Sequence, residues 1–189
     1  VTKARITPRR SSGLTLLWPD TPFEYTLDDT GEWLDPAERE EGMAETLRVA
    51  RLFFVLLVLV TTGRWLMGTF GVPYEKGHHI FSIVILTTFA CLFYGAFTRR
   101  WLDYRLIQAV LLGVVMGLAS QILILVLTAL SYALGLDTYF NHPTALNAPE
   151  ALSFGKAMGV RLNGLIGNSI GAGITTALGW ALGALLPRQ

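Results

Sequence analysis

The chain has 189 residues, of which 52% are hydrophobic and 15% charged, with a mean hydropathy of +0.46 and a formal net charge of +1. That balance argues against an ordinary water-soluble domain and against a strongly basic nucleic-acid binder, and it points to an integral membrane protein. The charge is segregated: ten of the fourteen carboxylates lie between Asp20 and Glu45, outside every long apolar run.

The first 46 residues read as a cytoplasmic tail. The opening VTKARITPRRSSG is basic, suited to anionic lipid, and no apolar core of signal-peptide type follows it, so no cleaved signal is expected. TPFEYTLDDTGEWL alternates through Phe23, Tyr25 and Leu27, turns at Asp28-Asp29-Thr30-Gly31 and resumes at Trp33. This pattern suggests a short β-hairpin over 23–34. A lone hairpin is marginal in water, so order there needs a surface to lie against; a solvated acidic tail is the alternative. Asp35-Pro36-Ala37-Glu38 then carries a helix-start signature, with the cap aspartate, a proline at the first helical position and a following glutamate.

Residues 47–187 hold four runs of the length a hydrocarbon core about 30 Å thick requires: 47–70, 80–98, 106–134 and 160–186. Backbone groups in lipid must pair internally, so these read as helices, and the fold class is an all-α membrane protein with a four-helix transmembrane bundle. Arg39, Arg48, Arg51, Arg99, Arg100, Arg105 and Arg188 flank one side, which places both termini in the cytoplasm of a plasma-membrane protein. Trp65, Tyr132, Tyr139 and Phe140 fall near the expected interfaces, where aromatic residues anchor helices. The start signal recurs at Asn147-Ala148-Pro149-Glu150 and suggests a short interfacial helix before the fourth span, broken near Gly155 or Gly159.

The first span carries Arg64. Counted from Leu47 it lies roughly 25 Å along the helix, close enough to the outer rim for its side chain to reach headgroups. Arg161 enters the fourth helix from the same side, and Lys76, Glu75, Asp137 and Glu150 occupy the outer loops. Ion pairs that fix helix depth are one reading; an anion or headgroup site at Arg64 and Arg161 is the other.

Within the spans the polar signal is small. Gly113, Gly117 and Gln121 recur every four residues on the third helix, and Gly167 with Gly171 and Gly179 with Gly183 form G-x-x-x-G pairs on the fourth. Such faces allow close backbone approach within the bundle or between subunits, and Gln121 or Asn168 can hydrogen-bond across them. A conduit lined by Gln121, Asn163, Asn168 and Ser169 is the sharper alternative.

Cofactor and enzyme signals are weak. His78 and His79 precede the second span and His142 lies in another loop; their spacing matches no metal pattern, and a pigment or haem at His78 or His79 is a minor alternative. Cys91 stands alone, so an internal disulfide is excluded and a cysteine-ligated metal centre is not expected. H-E-x-x-H, G-x-S-x-G, the phosphate-binding glycine loop and intramembrane carboxylate pairs are all absent. The expectation is therefore a non-catalytic accessory or structural subunit of a larger membrane complex, in contact with lipid and with other subunits or further copies. A small oligomeric transporter or channel is the alternative, and a pigment- or haem-associated subunit of an electron-transfer or light-capturing complex the third; nucleic acid is not an expected partner.

Overall fold

A computed structural model describes residues 15–16, 25–27, 33–34 and 48–186. The chain divides into two units, Val1–Val49 and Ala50–Gln189. In the first, strands β1 (Thr15–Leu16), β2 (Tyr25–Leu27) and β3 (Trp33–Leu34) pair antiparallel in that order. Leu27 faces Trp33 and Thr26 faces Leu34 in the β2–β3 ladder. The expected turn at 28–31 and helix start at 36 lie outside the described residues.

The second unit is helical. Helices α1 (Arg51–Thr69), α3 (Ile83–Trp101), α4 (Leu106–Ala133) and α5 (Phe154–Gly183) are each long and apolar enough to cross a membrane. A single turn, α2 (Tyr74–Gly77), and a 3-10 turn at Pro143–Leu146 lie in the connections. Apolar side chains cover the outside: Leu59 is 62% exposed, Phe89 69% and Ile166 63%. A surface of that kind needs lipid or protein against it.

Helix ends explain where the spans differ from the sequence reading. The second begins at Ile83, not 80, because Phe81 adopts φ 52, outside the helical region, and Ser82 caps α3 by accepting from the Ile85 N–H. The fourth begins at Phe154 and runs unbroken through Gly155 and Gly159 to Gly183. Asn147-Ala148-Pro149-Glu150 starts no helix: Asn147 instead closes the 3-10 turn in the left-handed conformation, at φ 52. The third matches more closely; Gln108 in its first turn accepts from the Arg105 N–H and fixes the start.

The interior mixes apolar side chains such as Phe53, Leu112 and Met116 with hydroxyl groups. Thr61, Ser120, Thr128, Ser131, Ser169 and Thr176 are buried, and each donates to the carbonyl four residues earlier in its own helix. A hydroxyl satisfied this way presents little more than a methyl-sized bump to its neighbour, so helices come close. Helix α5 packs most extensively, on α4 and on α3. A Cβ built on Gly179 would lie 2.8 Å from the Leu92 Cα and carbonyl carbon, and one on Gly183 2.9 Å from the Ala96 Cα. On the α4 side, a Cβ on Gly117 would meet the Ala172 Cβ at 2.7 Å, and one on Gly113 would strike Thr176. Those four glycines are therefore points of close backbone approach. Helix α1 buries Phe53, Leu57, Thr61 and Gly68 but packs far less on its neighbours.

Candidate functional site

Besides a pocket of about 370 Å³ lined by Arg99, Arg100 and Asp103, two places among the described residues concentrate polar groups. The first lies at the end of the bundle formed by the connections 70–82 and 134–153. There Arg64, five residues before the end of α1, turns its guanidinium under the first connection. One Nη donates to the His78 carbonyl at 2.9 Å, while the Tyr139 and Tyr74 rings lie 5.3 and 6.0 Å from the guanidinium carbon. Arg161, in the third turn of α5, donates from Nε to the Thr128 hydroxyl (3.2 Å) and from an Nη to the Phe140 carbonyl (2.6 Å). Both arginines line one pocket of about 160 Å³ with Tyr74, Ser82, Tyr139 and Phe140, and the charge of one reaches the other.

The loop that roofs this pocket is ordered from within. Asn141 accepts from the Thr138 N–H at 2.8 Å and donates to the Leu136 carbonyl at 2.9 Å, closing a tight turn. Ser131 shares a 2.8 Å hydrogen bond with Thr138 and accepts from the Trp65 indole at 3.3 Å, tying the end of α4 to α1. Tyr139 is 3% exposed: its backbone lies against Gly68, its ring against Gly77, and its hydroxyl donates to the Pro73 carbonyl at 3.1 Å. Burial pushes the Tyr139 phenol above the ordinary tyrosine range, against the opposing pull of Arg64 and with some help from Glu75. Tyr139 and Phe140 are thus part of the protein core and not the interfacial anchors the sequence suggested, because Gly68 admits the backbone of 138–139 and Gly77 leaves room for the Tyr139 ring. Glu75, Asp137 and Glu150 form no ion pair with either arginine among the described residues.

The histidines belong to the rim of this end. Tyr74 stacks on His142 (4.3 Å between centroids) and on His78 (5.4 Å), and His78 contacts His79. The His78 Nδ1 lies 3.1 Å from the Tyr74 carbonyl. Among the described residues no group of three or more His, Cys, Asp or Glu is arranged to hold a metal.

The second place is a groove of about 230 Å³ between α3, α4 and α5. Its walls include Thr87, Thr88, Cys91 and Gln121, and its α5 side carries Gly167, Asn168 and Gly171. Gly167 and Gly171 have no atom of this chain within contact of a built Cβ, unlike Gly179 and Gly183; Gly155 and Gly159, on the same helix, are equally open. The Gln121 Oε1 and Asn168 Nδ2 both lie beside Gly164, 3.7 and 3.4 Å from its built Cβ, yet neither amide makes a hydrogen bond among the described residues. Asn163 likewise makes none, and Asn163 and Asn168 are exposed. Ser169, assigned from sequence to the same polar face, is instead buried and bonded to the Leu165 carbonyl.

Sequence reasoning missed Thr128, Tyr74 and Tyr139 as companions of the arginines. The usable signal was the pair of glycines that follow Arg64 in the chain: Gly68, which admits the backbone of 138–139, and Gly77, which admits the Tyr139 ring. No protein-family model matches the chain, and no similar protein was found among curated proteins or solved structures.

Proposed function

We propose that this protein is a non-catalytic accessory subunit of a larger membrane assembly, which docks on a neighbouring transmembrane helix through the groove between α3, α4 and α5. The observation that carries this reading is the pair of unpartnered amides at Gln121 and Asn168. Both stand near the midpoints of helices long enough to span a membrane, and Asn168 faces outward. At that depth lipid offers no hydrogen-bond partner, and leaving an amide unsatisfied costs about 2–7 kcal/mol. A helix from another subunit, or from a second copy, removes that cost, and the open Gly167–Gly171 face lets its backbone come close.

The remaining attributes follow from the same reading. Lipid is the other partner, no cofactor is required, and the arginines at 99, 100 and 105 put the termini on the cytoplasmic side of the plasma membrane. Purification from the native membrane in a mild detergent, followed by mass measurement of the protein–detergent particle, tests the proposal. A co-purifying chain or a defined homo-oligomer is expected, and joint replacement Gln121→Leu with Asn168→Leu is expected to release it. A stable lone monomer overturns the proposal.

A further inference from the structure

We propose that the Arg64–Arg161 pocket binds a phosphate-type oxyanion, carried either by an anionic lipid headgroup or by free phosphate. The inference is independent of the subunit assignment, since the pocket and the α3–α4–α5 groove are lined by different polar residues.

Charge is the first argument. Two guanidinium groups, permanently protonated and partly buried, share one pocket whose lining contains no carboxylate. Helix ends do not compensate. The C-termini of α1 and α4 each bring about half a negative elementary charge to this end of the bundle, but the N-termini of α3 and α5 bring about the same amount of positive charge. The ends cancel and the pocket keeps close to two positive charges. The Tyr74 and Tyr139 rings offer quadrupolar attraction to Arg64, and the carbonyls of His78 and Phe140 accept single hydrogen bonds; all of these are neutral groups. Like charges brought together out of water repel, so the arrangement calls for a counter-charge that no described residue lining the pocket supplies.

Geometry is the second argument. Each guanidinium has five N–H donors in a planar fork; Arg64 spends one on His78 and has the Tyr74 side chain as a second partner, and Arg161 spends one each on Thr128 and Phe140. The remaining donors are held by side chains whose positions those bonds fix, and a tetrahedral oxyanion accepts several at once. The first-turn N–H groups of α3, which have no partner inside their own helix, border the same pocket at Ile83 and Val84. A volume of about 160 Å³ admits a phosphate group without displacing the roof. Arg64 stands roughly 8 Å from the end of its helix, a distance over which a long arginine side chain can extend toward a headgroup.

The test uses the full chain in a phosphate-free detergent and in nanodiscs. In detergent, sodium phosphate is titrated calorimetrically against a sodium chloride control. In parallel, the protein is taken through nanodiscs made of phosphatidylcholine alone or of equal parts phosphatidylcholine and phosphatidylglycerol, and retained lipid is read by native mass spectrometry. Phosphate binding by the wild type identifies a free-anion site; retained phosphatidylglycerol without phosphate binding identifies a headgroup site. In either arm Arg64→Gln and Arg161→Gln are each expected to weaken binding about tenfold, the loss of one charge-assisted contact. If a glutamine variant fails to fold, Arg64→Lys and Arg161→Lys, which keep the charge and lose the fork, replace it, and weakened binding is again expected. No binding in both arms, or binding undiminished in every folded variant, overturns the proposal.

Discussion

At the scale of single residues, glycines on one helix have opposite roles. Gly179 lies where a Cβ would collide with the backbone of Leu92, whereas Gly167 looks into open space. Gly179→Ala is therefore expected to destabilise the bundle by about 1–3 kcal/mol, the cost of overpacking a rigid contact. Gly167→Ala is expected to leave the isolated chain unchanged or more stable by up to about 1 kcal/mol, since alanine favours the helix. Thermal unfolding of both variants in detergent, followed by tryptophan fluorescence, checks the pair; equal effects would contradict the contact map. Sequence spacing identifies 167–171 and 179–183 as equivalent motifs, and nothing in G-x-x-x-G says which of two faces of a helix meets its own bundle. That distinction depends on the rotation of α5, set by buried Ala172, Thr176 and Gly179 along one stripe. The place of Arg64 near the end of its helix was legible by counting residues, but its company was not, because Tyr139 and Phe140 come from a segment about seventy-five positions away.

At the scale of elements, the connection 134–142 behaves as a fifth packing element. Its Tyr139 fills a slot made by Gly68 of α1 and Gly77 of α2. Tyr139→Phe removes the bond to the Pro73 carbonyl and is expected to cost about 1 kcal/mol in unfolding free energy. The buried phenol also has a titration consequence. Below the ordinary tyrosine value, about 10, the folded and unfolded chains both hold the proton. Above it the unfolded chain loses the proton first, so stability falls as pH rises through the raised folded value. Unfolding temperature measured across alkaline pH is expected to drop less steeply for Tyr139→Phe than for the wild type; parallel slopes would exclude the buried phenol as the cause. The element boundaries show what composition can and cannot fix. Apolar length located the four long helices, most closely the third and least closely the start of the fourth. The start at Phe154 was hidden behind a well-formed capping sequence at Asn147, where a left-handed residue ends a turn and no helix follows.

At the scale of the whole molecule, the second unit differs from a soluble domain chiefly in its surface, where large aliphatic and aromatic side chains lie outside while hydroxyls join Phe53, Leu57, Leu112 and Met116 inside. Cys91 is fully buried among them. A membrane-permeant maleimide is expected to leave Cys91 unmodified in the folded protein and to label it after denaturation. A cysteine placed at exposed Thr144 tests orientation, since it is expected to react with an impermeant maleimide added outside intact cells if the termini are cytoplasmic; reaction only after permeabilisation would reverse the topology.

The hydrogen bonds that join α1 to the rest bear on the order of assembly. Trp65 meets Ser131, and Pro73 meets Tyr139, each across 66 positions of chain. A nascent α1 is therefore complete well before either partner has been synthesised. Until the α4 end and its loop arrive, the slot between Gly68 and Gly77 stands empty and Arg64 has only its own short connection for shelter. Because Tyr139 closes the slot, α1, the first helix to be made, is locked only after α4 and the connection that follows it have been made. Substitutions in that slot should accordingly lower the yield of assembled protein more than they lower the stability of molecules that have completed it.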